Sequence, residues 1–171
     1  MALLGVFNLL LHRYSGQSTV LVGTPVSNRR NSELNSFLGC FLDTLVLRSD
    51  YNPEQSFYEL LENVQQTTLN AFEYQNIPFE KLVENFNPDR TSNAHPIFQV
   101  MFNYIADNES RSEFNLPGCN ATRLAVSGGI YADFDLKLTI TEHKDSLSCC
   151  FLYNADLFSC LLYTSPSPRD S

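Results

Sequence analysis

The sequence predicts a mixed α/β fold, and three stretches carry that prediction. Between Phe57 and Phe72, the residues Phe57, Leu60, Leu61, Val64, Thr68 and Phe72 fall on one face of a 3.6-residue period. From Pro78 onward, Phe79, Leu82, Val83 and Phe86 recur at i, i+3, i+4 and i+7. Phe134, Leu136, Leu138 and Ile140 instead alternate with polar residues, the period of a half-buried strand. At 171 residues the chain is about one ordinary domain, long enough to bury a core.

In order along the chain, Met1 to His12 carries apolar side chains around most of a helix circumference and reads as a buried core helix stopped at Gly16. It is too short to span a bilayer and has neither the basic start nor the small-residue cleavage site of a secretory signal, so a cytoplasmic protein is expected. Thr19 to Thr24 reads as a short buried strand and Pro25 to Ser36 as a polar loop, in which the adjacent pair Arg29 and Arg30 is expected to be solvated. Phe37 to Arg48, FLGCFLDTLVLR, follows as a core strand. Ser56 and Glu59 have the spacing of a capping box opening the helix over Phe57 to Phe72. That helix ends near Tyr74, with a stop at Asn76, and Pro78 suits a first helical turn because its missing N–H has no partner there anyway. Asn87, Pro88 and Asp89 end the second helix, a polar loop follows, and Ile97 to Ile105 reads as a buried strand. Ala106 to Ser112 is loop-like, Leu116 to Cys119 opens a strand region, and Gly128 and Gly129 break it. Glu142 to Ser146 turns the chain so that Leu147 to Tyr153 pairs back as a hairpin.

Several function classes are excluded by composition and spacing. A hydrophobic fraction of 43% and an aromatic fraction of 12% are those of a globular protein. The net charge of −8, without a cluster of basic residues, excludes a nucleic-acid partner. Cys40, Cys119, Cys149, Cys150 and Cys160 form no C-x-x-C and have no histidine at zinc-ligand spacing, so no metal is expected. They read as small buried hydrophobes in a reducing cytosol, with Cys149 and Cys150 on opposite sides of a strand. Gly128 and Gly129 lack the following Lys and Ser/Thr of a phosphate loop. Asn108 and Asn120 head glycosylation sequons that, without a secretory signal, are chance matches.

The wording of these stretches says more. QNIPFEKLVE followed by PIFQVMF resembles the condensation domain of nonribosomal peptide synthetases, in which His-Gln-Asp-x-Pro-Phe-Glu precedes Arg-Asp-x-Ser-Arg-x-Pro-Leu. Gln75, Pro78, Phe79 and Glu80 match the first motif, while Tyr74 and Asn76 replace its His and Asp. In the second, Asp89 and Arg90 reverse the usual order, Asn93 stands near the expected Arg, and Pro96 is kept. FLGCFLDTLVLR resembles a third block, Ile/Val-Gly-x-Phe-Val-Asn-Thr followed by an apolar run and Arg. There Gly39, Phe41, Thr44 and Arg48 fit, and Asp43 stands where Asn is usual, exchanging an amide for an acceptor-only carboxylate. LLLHRYSGQ with TVLVGTPVSNR, and later FDLKLTI with YNADLF, extend the resemblance over roughly residues 3 to 158.

The resemblance implies a chloramphenicol-acetyltransferase-like two-layer α/β sandwich, with residues 1–159 as the C-terminal subdomain of a condensation domain. In that family the amine of a carrier-bound aminoacyl thioester attacks a carrier-bound acyl or peptidyl thioester between two such halves. The implied partners are the N-terminal half, carrier domains bearing 4'-phosphopantetheine and a neighbouring adenylation domain, with no cofactor held by this chain. Asp43, Thr44 and Arg48 would lie near the substrate cleft, Arg48 being equally readable as one half of a strand-end salt bridge. Gly39, Phe41, Gln75, Pro78, Phe79, Glu80, Arg90 and Pro96 would be structural. The family's catalytic histidine belongs to a His-His-x-x-x-Asp-Gly motif, and none of His12, His95 and His143 stands in one. They are expected on a helix surface, in a loop before proline and in a hairpin turn respectively. Residues 160–171 break from the resemblance, and CLLYTSPSPRD can be written codon by codon as the end of a sequencing adapter, so this tail is expected to be non-native. An epimerization or stand-alone acyltransferase domain of the same fold, or a non-catalytic module docking carrier proteins, remains open on the sequence.

Overall fold

The first helix, α1, covers Ala2–Ser15 and ends where Gly16 turns left-handed at φ 68°, its N–H returning to the His12 carbonyl. Only a residue without Cβ enters that conformation at little cost, which is why the helix stops there. The computed structural model describes residues 1–29, 32–86, 95–106, 118–119 and 131–159. The expectations for Arg30, Asn87 to Asn93 including Arg90, Asn108, Ser112, Asn120, Gly128, Gly129 and the tail 160–171 lie outside them.

Two compact units divide the chain, Met1–Phe102 and a second beginning at Asn103. In the first, β1 (Thr19–Ser27) pairs antiparallel with β2 (Leu42–Asp50) over its full length, from Thr19 opposite Asp50 to Ser27 opposite Leu42. On its other side β1 runs parallel to β3 (Val100–Ile105), with Val22 opposite Val100 and Gly23 opposite Met101. Between β1 and β2 lies a short 3-10 turn, Ser32–Ser36. Two helices follow β2: α2 over Phe57–Glu73 and α3 over Phe79–Phe86.

Strand alternation assigns the faces. Val20, Val22, Leu45, Leu47 and Ser49 point to one side of the β1–β2 pair, where Leu4 and Phe7 of α1 and Leu60 and Val64 of α2 complete a buried core. Phe102, at the end of this unit, puts its ring 5.9 Å from that of Phe7. On the other side Gly23 meets Phe98, which is fully buried; a Cβ at Gly23 would lie 2.2 Å from the Phe98 ring. β1 therefore needs glycine where the aromatic ring approaches its backbone this closely.

The second unit holds the antiparallel hairpin of β4 (Leu136–His143) and β5 (Ser146–Tyr153), with Leu138 and Ile140 buried. Tyr104 donates its hydroxyl to Glu142 at 2.5 Å, and that bond to a carboxylate raises the phenol's pKa. Among the described residues no helix is long and apolar enough to cross a membrane.

Four expectations are corrected. α1 buries one face only: Leu4, Phe7 and Asn8 are buried, while Val6 and Leu10 are exposed. β2 begins at Leu42, and Phe37 to Phe41 form no strand. Phe86 is exposed and Phe79, Leu82 and Val83 only half-buried, so α3 is a surface helix with an apolar underside. Cys40, Cys119, Cys149 and Cys150 are all exposed free thiols, since they stand on loops and on β5, whose residues 146–151 face solvent.

Candidate functional site

Two of the family-like blocks, VGTPVSNR and FLGCFLDTLVLR, meet at the C-terminal end of β1. Asn28 and Arg29 follow that strand directly and, among the described residues, make most of the polar contacts of the loop that leads into β2. The Asn28 N–H donates to the Phe41 carbonyl at 2.7 Å, and its side-chain Nδ2 donates to Asp43 Oδ2 at 3.2 Å. The other Asp43 oxygen accepts from the Thr44 N–H at 2.7 Å. Arg29 Nη1 donates to the carbonyls of Leu34 and, at 3.1 Å, Phe37, while Nη2 donates to that of Gly39 at 3.3 Å. Its guanidinium carbon sits 4.2 Å from the centre of the Phe41 ring, a cation–π contact. Arg29 is thus half-buried and engaged, not solvated as its loop setting predicted. An arginine beside polar residues carries no sequence signal of this; only the three carbonyls that the 3-10 turn brings round to it reveal it.

Gly39, Phe41, Asp43 and Thr44 are brought together at this junction. Asp43 and Thr44, both half-buried, nevertheless point to opposite faces of β2, with Asp43 on the parity of the core residues Leu45 and Leu47. Arg48 shares the face of Thr44 but lies four residues further on, about 13 Å along an extended strand. It is exposed and forms a bidentate pair with Asp50, Nε to Oδ2 at 2.9 Å and Nη2 to Oδ1 at 3.0 Å. The Asp50 carboxyl is held below the usual carboxylate range, first by this hydrogen bond and then by that from the Thr19 hydroxyl at 2.6 Å. Arg48 thus makes a salt bridge at the end of β2.

The second group of motif residues surrounds Phe98. Phe79, opening α3, packs edge-on to it with ring centres 5.7 Å apart, and His95 lies 4.2 Å from Phe98 and 5.2 Å from Phe79. Burial among these rings lowers the His95 pKa, partly offset by a hydrogen bond with the Phe98 backbone. Pro96 is exposed one residue on. Gln75 is half-buried in the turn after α2, its N–H reaching the Phe72 carbonyl at 3.4 Å. Pro78 offers its carbonyl to the Lys81 N–H at 3.0 Å, closing the first turn of α3, and Glu80 faces solvent there.

His12 corrects its expected surface position. It is 3% exposed at the end of α1, with Nδ1 2.8 Å from the Gln17 carbonyl and Nε2 3.4 Å from Ser49 Oγ. The ring stacks on Tyr51 with centres 5.1 Å apart. It fastens α1 and the following turn to the end of β2. His143, at the hairpin, lies 2.8 Å from Ser148 Oγ. Among the described residues no set of three His, Cys, Asp or Glu side chains is placed to hold a metal ion.

A family model for the condensation domain matches residues 1–161. The chain belongs to the condensation-domain family. A linear gramicidin synthase of Brevibacillus parabrevis is 41% identical over 161 residues, covering 92% of this chain and 2% of that protein. Phosphinothricin tripeptide synthetase PhsC of Streptomyces viridochromogenes is 39% identical over 161 residues, 92% of this chain and 14% of that protein. The chain therefore spans a small fraction of the relatives it matches. A holo four-domain nonribosomal peptide synthetase with AMP and glycine bound shares the fold at a TM-score of 0.77 and 25% identity, over 94% of this chain and 13% of the other. The X-domain from teicoplanin biosynthesis superposes at 0.79 and 22%, over 93% and 36%. The mixed α/β fold is that of condensation-domain structures, as the sequence predicted.

Proposed function

We propose that this chain is the C-terminal half of a condensation domain that forms amide bonds between carrier-bound thioesters, and that it does not catalyse that reaction alone. The observation that carries the reading is the histidine inventory of a chain matched to the family along 161 residues. None of its three histidines lies in a His-His-x-x-x-Asp-Gly sequence. Each is also accounted for locally: His12 by Gln17 and Ser49, His95 by the rings of Phe79 and Phe98, and His143 by Ser148.

In this reading the reaction is largely a matter of holding an amine against a thioester carbonyl, with the histidine of the other half orienting or deprotonating that amine. The present chain contributes the wall. Thr44 lines the substrate passage at the β1–β2 junction, Asp43 on the opposite face of β2 holds Asn28, and Arg48 and Asp50 pin the far end of β2. The substrates arrive on 4'-phosphopantetheine arms of carrier domains, beside an adenylation domain, in the cytoplasm.

The test is mass spectrometry of carrier-bound products, using two loaded carrier proteins. The chain alone should give product at the no-enzyme background. The same chain fused behind a condensation-domain N-terminal half carrying the histidine motif, with residues 160–171 removed, should give the amide. Product from the isolated chain above background would overturn the reading.

A further inference from the structure

The guanidinium of Arg29 meets three carbonyls of a neighbouring loop, those of Leu34, Phe37 and Gly39, and covers the Phe41 ring. The preceding residue, Asn28, holds the Phe41 carbonyl and the Asp43 carboxylate. Two residues at the end of one strand thus engage the loop from Leu34 to the first turn of β2. Phe37 and Leu38 at its tip are exposed, and Leu34 and Phe41 only half-buried. Among the described residues, Arg29 makes three of the hydrogen bonds that this segment receives.

We propose that Arg29 is a positioning residue, acting through the loop to set the start of β2, where Thr44 faces the substrate passage; this rests on the amide-forming reading above. Arginine suits the task because its planar fork sends donors in several fixed directions while its face stacks on an aromatic ring. Lysine has the charge without the fork, and methionine the apolar stem without either. Where one side chain holds three carbonyls of a loop, shortening it loosens that stretch, while the strand beyond it, closed by nine paired positions, stays paired.

The experiment uses Arg29→Lys, Arg29→Met and Arg29→Ala, with Arg13→Lys on the exposed side of α1 as control. The first readout is chymotryptic cleavage after Phe37, Leu38 or Phe41 in the chain itself, under conditions where the far-ultraviolet circular dichroism of each variant matches the parent. Cleavage should rise about tenfold in Arg29→Met and less in Arg29→Lys. The second is turnover in the fused domain, where Arg29→Ala should lose about tenfold in kcat/KM. Millimolar guanidinium should restore both protection and turnover in Arg29→Ala, which an unfolded fraction would not do, and leave Arg13→Lys unmoved. Unchanged cleavage in all three variants overturns the clasp, and raised cleavage with unchanged kcat/KM overturns its role in the site. If the fused parent itself forms no amide, the amide-forming reading fails and takes the catalytic role of Arg29 with it. Cleavage and its rescue by guanidinium then decide the clasp alone.

Discussion

Gly23 illustrates how much one missing methyl group decides. Its backbone supports the Phe98 ring so closely that any Cβ would overlap three ring carbons. Gly23→Ala should destabilise the chain by about 1–3 kcal/mol, the range for overpacking a tight core, seen as a lower denaturant midpoint. Adding Phe98→Leu should recover part of that loss, because the two sites share the space and their effects cannot add. A double variant no better than the sum of the singles would show that the ring is not the obstacle. Residues of this kind were legible only as family wording: Gly23 stands in VGTP and Phe98 in PIFQ, but nothing in either stretch names the other. Arg29 and His12 were misjudged for the related reason that their partners are carbonyls and hydroxyls, which no apolar period records. Leu34, Phe37 and Gly39 look like ordinary loop residues until the turn at Ser32–Ser36 aligns their carbonyls.

Secondary elements read far better. The capping box forms as the spacing required: the Ser56 hydroxyl accepts from the Glu59 N–H at 3.3 Å, and Glu59 Oε2 accepts from the Ser56 N–H at 2.7 Å. Ser56→Ala should cost about 1 kcal/mol, measured by urea unfolding. The backbone bond from Ser56, followed by its side-chain bond, lowers the Glu59 pKa, so this support is present above the ordinary carboxylate range. It is lost as pH falls through the depressed folded value, and Glu59→Gln should flatten that part of the acid limb. His95 works in the same direction by another route. Its folded pKa is lowered mainly by burial, so the unfolded chain takes up the proton first. Stability therefore falls as pH drops from the ordinary histidine value towards the folded one. His95→Gln should remove that dependence, and an unchanged pH profile would count against the aromatic packing. What periodicity misjudged was depth. The i, i+3, i+4, i+7 pattern of α3 correctly gave a helix, yet a pattern reports which face is apolar and not what stands opposite it. Phe86 is therefore exposed.

For the whole molecule, the notable quantity is uncovered apolar surface. Leu38 is 104% exposed, Tyr131 91% and Phe86 73%, values at which large side chains contribute nothing to a core. Surfaces of this kind bind hydrophobic dyes and draw copies together. The isolated chain should enhance anilinonaphthalene sulfonate fluorescence while keeping native circular dichroism, and sedimentation velocity should show association that rises with concentration. A chain that stays monomeric and dye-negative would mean that these side chains are too scattered to act as a patch. Family and mixed α/β class were both readable beforehand, because several blocks stand in the right order; the division after Phe102 was not, since β3 runs through it. That strand also imposes a schedule. β1 gains its antiparallel neighbour within the next two dozen residues, but its parallel neighbour begins with Val100, roughly eighty residues after Val22. At ribosomal speed that is an interval of about 4 to 16 s. Throughout it, the nascent protein carries a half-satisfied strand out of the exit tunnel, and slowing translation before codon 100 should lengthen its exposure to chaperones.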